Sequence, residues 1–335
     1  MRFCEIILKP RSAFGTPLKG DTLFGQFCWQ AAMDGTLLKG GFDKWRDLYA
    51  EKPFMICSSA FPVKTGRNGK CTYFLPVPTC PLHFYAQIGA RDEKCFEALS
   101  RLKDIKKKRW VTVEQDDLTV RPEEGKLLND RELFELLSNK IESVTIEKPF
   151  ITATQPHNTI NRLTMTTGEG AFAPYFMENT WYAPDVHLAV FVLFSEEATD
   201  LDSIKRGFSA MGISGFGRDS STGLGRFDVI ECRERSLPSV SDATFLYALS
   251  PFVPSEGEDR VWYKPFVRYG RHGNVLATSR NPFKNPILMA DEGALIENDA
   301  SRRRPYVGKA LSGVSKVQPE AIAQGYAIAI PCVME

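Results

Sequence analysis

At 335 residues the chain is long for one domain and suits two. A hydrophobic fraction of 43% allows a large buried core, and no apolar run is long enough for a membrane span or a secretory leader. The formal net charge of +1 excludes recruitment of a polyanion by overall basicity, so any such site must come from segregated charge.

The eight cysteines form no C-x-x-C pair, and several sit in apolar runs where a free thiol acts as a small hydrophobe. A reducing, cytoplasmic setting is expected. Cys71, Cys80, His83 and Cys95 are a conceivable zinc set, with Cys80-x-x-His83 its best part, but the spacing is not a standard one. No metal and no cofactor is expected.

In chain order, residues 2–8 read as a buried strand. A turn-rich stretch, 10–20, leads to Asp21, which looks like the cap of a helix over Thr22–Met33. Lys19 and Gly20 precede that helix, where free N–H groups favour a phosphate. Phe54–Ala60 reads as a second strand and Cys71–Val77 as a third, joined by a basic turn at Gly66–Lys70. A helix is expected over Asp92–Lys103, followed by the run Lys106-Lys107-Lys108-Arg109 beside Trp110, a solvated face or a nucleic-acid contact. Residues 114–142 are charge-rich with a short helix near Asp130–Asn139, and read as an insertion, not a core element.

Asn158, Asn161 and Arg162 lie in a polar, glycine-bounded stretch and can donate to phosphates or base edges; a solvated hairpin is the plainer reading. Ala171–Met177 follows as a strand. His187–Phe194 is a near-continuous apolar strand, and Asp200 or Asp202 caps a helix to Met211 with Ile204, Phe208 and Met211 at helical spacing. Further strands are expected at Arg226–Cys232, Phe245–Leu249, Ile287–Met289 and Tyr326–Ile330, with Val261–Tyr269 folding back across 270–274 as a hairpin.

Between that helix and the strand after it lies Gly212-Ile213-Ser214-Gly215-Phe216-Gly217-Arg218-Asp219-Ser220-Ser221-Thr222-Gly223-Leu224-Gly225-Arg226. Glycines let a ligand approach bare backbone, two arginines bracket the acid and hydroxyls, and the whole suits an anionic backbone. It has no Gly-Lys-Ser/Thr and fails the G-x-G-x-x-G test, so a small nucleotide is disfavoured and a longer polyanion preferred.

Five segments in this order resemble the RAMP proteins of CRISPR effector complexes, and among them the fourth-subunit family of the type III-A Csm complex. They are Thr16–Gly25; Ser58-Ser59-Ala60-Phe61-Pro62; Asn158–Arg162; Gly215–Phe227; and Asn281-Pro282-Phe283-Lys284 with Val307-Gly308-Lys309. The resemblance implies an α+β fold of tandem ferredoxin-like (RRM-like) domains with a glycine-rich loop and a β-hairpin thumb. The domains would be 1–180, with an insertion at about 85–145 and the thumb at about 150–170, and 181–335.

It implies no catalysis. The subunit would bind the 5′ repeat-derived tag of the crRNA, dock the large polymerase-domain subunit, adjoin a backbone RAMP subunit and meet target RNA only indirectly. Expected RNA-binding residues are Phe14, Thr16, Leu18, Lys19, Gly20, Asp21 and Thr22; Ser58, Ser59 and Phe61; Asn158, Asn161 and Arg162; Gly215, Phe216, Gly217, Arg218, Asp219, Ser220, Ser221, Thr222, Gly223, Gly225 and Arg226; and Lys284 and Lys309. Lys19, Arg218, Arg226 and Lys284 would meet phosphates, while Phe14, Phe61 and Phe216 would stack on bases. The alternatives are a metal-independent RAMP endoribonuclease, with His157 as its base, and the equivalent type III-B subunit. A nucleotide enzyme built on the glycine loop lacks the lysine and metal-binding carboxylate that phosphoryl transfer needs.

Overall fold

The computed structural model describes residues 1–81, 84, 100, 103–123, 125–138, 148–239, 243–258, 260–298 and 305–334. His83 and Cys95 of the conceivable zinc set, and almost all of the helix expected at 92–103, lie outside the described residues. In chain order the elements are β1 (Arg2–Pro10), α1 (Gly20–Met33), α2 (Phe42–Leu48), β2 (Met55–Cys57), β3 (Phe61–Thr65), β4 (Cys71–Pro76), β5 (Trp110–Glu114), β6 (Leu127–Leu128), α3 (Asp130–Leu137), β7 (Phe150–His157), β8 (Tyr175–Tyr182), β9 (His187–Phe194), α4 (Leu201–Ser214), β10 (Phe227–Arg235), β11 (Phe245–Ala248), β12 (Val261–Trp262), β13 (Pro265–Arg268), β14 (Ile287–Ala290), β15 (Leu295–Glu297), β16 (Tyr306–Gly308) and β17 (Tyr326–Cys332). Among the described residues, no helix is long and apolar enough to cross a membrane.

The main sheet runs β10-β1-β9-β3-β4-β5-β6, with β2 also paired to β9. β1 is antiparallel to both β9 and β10, and β3 to β9. Taken as β1-α1-β3-β9-α4-β10, this is one β-α-β-β-α-β unit. Strands from both sides of residue 180 share this one sheet. The cause lies in β9. His-Leu-Ala-Val-Phe-Val-Leu-Phe is buried at every position after His187, so it needs cover on both faces and a partner on each edge. It finds β1 on one edge and β2 and β3 on the other.

Helices α1 and α4 cover the sheet together. α4 buries Ile204, Phe208 and Met211, and Asp200 caps it by accepting from Ser203 N at 2.8 Å, as the sequence predicts. Gly207 lets the two helices meet: a Cβ there would stand 2.4 Å from the Phe27 ring. The cap predicted for α1 is different. Lys19 occupies the N-cap without a side-chain bond, and Asp21 instead accepts two bonds from Arg268 of β13, at 2.6 and 2.8 Å.

Residues 110–137 are no appendage. β5 pairs with β4, and Val120, Leu127, Leu133 and Leu137 are buried in the main core. The basic run before β5 is tied down as well: Lys108 to Glu132, Arg109 to Asp130, and Trp110 Nε1 to Asp130 Oδ1 at 2.8 Å. The strand expected at 171–177 starts later, at Tyr175, after a 3-10 turn at Gly170–Phe172. β13 pairs with β14, not across the turn at 270–274.

The second sheet, β12-β15-β11-β17-β16, carries no α-helix among the described residues. Its contact with the first includes specific polar bonds. The buried Gln324 amide accepts from Cys57 N and donates to Cys57 O, both at 2.8 Å, completing β2 as a strand neighbour would. Val120 N donates to Pro331 O at 2.9 Å and Val333 N to Val120 O at 3.0 Å. One hydrophobic core includes residues of both sheets, among them Tyr247, Leu295, Ile328 and Ile330.

Candidate nucleic-acid interface

The glycine loop leaves α4 at Gly215 and is sewn to residues 11–16. Phe216 N bonds Gly225 O at 2.9 Å, and Gly225 N bonds Ala13 O at 2.7 Å. Arg218 N donates to Thr16 Oγ1 and Arg226 N to Ser12 Oγ, each at 2.9 Å. Gly225 has φ 72°, and a Cβ on it would lie 2.1 Å from Phe216 O, so this close approach admits only glycine. Asp219 takes the left-handed region at φ 60° and opens a single 3-10 turn over Ser220–Thr222.

β7 and β8 form a two-stranded hairpin standing apart from both sheets. Its tip, around Asn158–Thr166, is exposed, with Leu163 94% accessible. Asn161 organises the tip, accepting from Leu163 N at 2.9 Å. At its root Phe14 N and Thr180 O bond at 2.9 Å, and Phe14, Phe150 and Tyr182 pack ring on ring.

Segment 14–19, Ser59–Ala60, the hairpin root and Glu292 enclose a cleft of about 200 Å³. Lys19 Nζ lies on its floor, 2.5 Å from Asp291 Oδ1 and 2.6 Å from Glu292 Oε1, above the Phe266 ring. Ser59 Oγ accepts from Gly20 N at 3.2 Å and donates to Glu292 Oε2 at 3.3 Å. Burial pushes the Glu292 carboxyl up to about 7, against the pull of Lys19.

The structure thus brings Phe14, Leu18, Lys19 and Ser59 to one cleft, and Thr16 and residues 215–226 to its neighbourhood. It gives several expected contacts other work. Lys19 is held by two carboxylates, so its charge is spent inside the fold. Ser58 is fully buried, donating to Ser59 O at 2.7 Å and accepting from Phe191 N at 2.8 Å. Phe14, Phe61 and Phe216 are core residues, 3%, 2% and 1% accessible, and offer no free ring face to a base. Thr22 Oγ1 donates to Lys19 O and Thr222 Oγ1 to Asp219 O.

Arg218 reaches back to the hairpin, donating to Glu178 O at 2.6 Å and Asn179 Oδ1 at 3.0 Å, with Asp219 3.3 Å away. Lys284 is packed along Gly270, and burial lowers its pKa. Arg162, Arg226 and Lys309 make no ion pair among the described residues, and Arg162 and Lys309 are exposed. Residues missed from sequence are Phe150, Thr180, Tyr182 and the pair Asp291-Glu292. An acidic pair ending an apolar strand just before a glycine was the available signal for the last two.

No family model and no curated protein matches the chain. Solved structures match it along its length. A chain of the Csm1–Csm4 cassette, crystallised with pppApA, superposes with a TM-score of 0.56 at 16% identity, covering 100% of this chain and 99% of that one. A chain of the Csm3–Csm4 subcomplex of the type III-A CRISPR-Cas interference complex gives 0.57 at 14% identity, with 99% of each chain covered. The chain shares the fold of these Csm subunits. Csm4 is the component common to the two assemblies, and the five sequence segments resemble the same family.

Proposed function

We propose that the chain is the RNA-binding, non-catalytic fourth subunit of a type III-A CRISPR-Cas interference complex, working in the cytoplasm. It holds the 5′ repeat-derived tag of the crRNA beside the glycine loop and the cleft. It docks the large polymerase-domain subunit and an adjacent backbone RAMP subunit. The observation that carries this reading is end-to-end likeness of fold, with 99% of each chain covered, to a Csm3–Csm4 subcomplex chain. The thumb expected at about 150–170 is assigned in this reading to the β7–β8 hairpin.

Phosphate contacts fall to those expected cations that make no ion pair among the described residues: Arg226 beside the loop, Arg162 on the hairpin, and Lys309. Arg218 acts on the hairpin, not on RNA. Affinity for tag-bearing crRNA, measured over a salt series, tests this. Each of Arg162→Ala, Arg226→Ala and Lys309→Ala is expected to weaken binding and lower the log–log salt slope by about one unit. Arg218→Ala should leave the slope alone and lower the melting temperature. Unchanged slope and affinity in all three cation variants would sink the assignment. Cleavage of repeat RNA by the pure protein, lost in His157→Ala, would replace it with the endoribonuclease reading.

A further inference from the structure

The β7–β8 hairpin pairs with neither sheet, so no strand ladder sets the direction in which it leaves the body. Among the described residues its strands hydrogen-bond to the body at two places. One is the root, where Phe14 N donates to Thr180 O and Thr180 N to Phe14 O, both at 2.9 Å. The other is Arg218, whose Nη2 donates to Glu178 O at 2.6 Å and to Asn179 Oδ1 at 3.0 Å. A strand rises about 3.3 Å per residue, so these contacts lie about 3 to 7 Å further out along β8 than the Thr180 bridge. One attachment point is a pivot. Two at different heights fix an angle.

Arg218 can hold that second point because its own base is held. Its backbone N–H donates to Thr16 Oγ1 at 2.9 Å. Its guanidinium passes over bare backbone at Gly15, where a Cβ would stand 2.9 Å from Nε. The path then crosses the hairpin. Asn179 is 2% accessible, and its Nδ2 donates to Gln155 Oε1 of β7 at 3.2 Å. A planar guanidinium suits this task, since its N–H groups point in fixed directions. We propose that Arg218 is a positioning residue that braces the hairpin against the glycine loop. Loop and hairpin then keep one relative orientation, and a displacement of either is passed to the other. The brace stands on the geometry alone and does not depend on the RNA-binding reading.

The test reads an angle, not a stability. Spin labels are attached to the full chain through ketone-bearing residues at Phe176, 70% accessible on β8, and Ile230, 52% accessible on β10, which leaves the eight cysteines untouched. Dipolar spectroscopy then gives the distance distribution between hairpin and main sheet. The wild type is expected to show one narrow distribution. Arg218→Ala and Asn179→Leu should each broaden it, and the double variant should be no broader than the wider single one, because both changes cut the same path. Asn179→Asp keeps an acceptor for Arg218 and should keep the wild-type width. In Arg218→Ala the ladder amides of β7 and β8 should exchange about ten-fold faster, the worth of a hydrogen bond to a charged group, while those of β1 and β9 keep their protection. Melting curves check that each variant folds. A lowered melting temperature with an unchanged distance distribution would make Arg218 a simple staple and overturn the proposal. Broadening that adds in the double variant would overturn it too. No RNA is present in these measurements, so their failure leaves the RNA reading to stand or fall on the salt series.

Discussion

Glu292 is charged only at a cost, because it is buried beside Asp291 and within 2.6 Å of a single lysine. Burial lifts its pKa from 4.5 to about 7, with Lys19 opposing the rise and Asp291 adding to it. Between those two values the folded protein holds a proton that the unfolded chain has released. Its contribution to stability is therefore complete below about pH 4.5 and falls as pH climbs to about 7, by at most about 3 kcal/mol. Urea unfolding across that window, for the wild type and Glu292→Gln, measures it. The stability of the wild type relative to the variant should decline as pH rises, and a flat difference would refute the assignment. Lys19 teaches the complementary point. A lysine before a helix reads as a phosphate ligand when only the local sequence is weighed, but its partner Asp291 lies 272 residues along the chain.

The glycine loop is held to one conformation by backbone contacts on both sides, so its glycines act through structure before they act on any ligand. Gly225→Ala puts a Cβ against the Phe216 carbonyl and demands φ 72° of an L-residue; a loss of at least about 2 kcal/mol is expected, read as a lowered urea midpoint. Substitution without loss would show that the loop is free to rearrange. Elements defined by local chemistry were legible from sequence. Asp200 marks the start of α4, the apolar run marks β9, and the polar stretch at 158–170 marks a hairpin tip. Elements defined by distant partners were not. Asp21 has the chemistry of a cap and serves Arg268 instead. Val261–Tyr269 has the pattern of a hairpin strand, yet its second half finds β14. Phe216 carries the look of a stacking residue and is the loop's anchor in the core.

Across the whole molecule, strands from both sides of residue 180 meet around β9 in one sheet, because a strand apolar on both faces cannot be left at an edge. The second sheet joins the same core and is pinned by Gln324 and Val120. This arrangement brings residues from the first 20 positions, the hairpin and Glu292 to one cleft, with the glycine loop alongside. The sequence marked the loop and segment 14–22 as a site but could not place the hairpin root or the acidic pair beside them, since only the sheet topology does so.

Photo-cross-linking tests the account most directly. Tag-bearing crRNA carrying 4-thiouridine through the tag would be irradiated with the full chain and the cross-linked peptides mapped. The account predicts cross-links within residues 11–19, 59–60, 150–182 and 217–226, with any at Lys309 accompanying them, all weakened together by high salt. Cross-links confined to the second sheet, or their absence from all four segments, would contradict it.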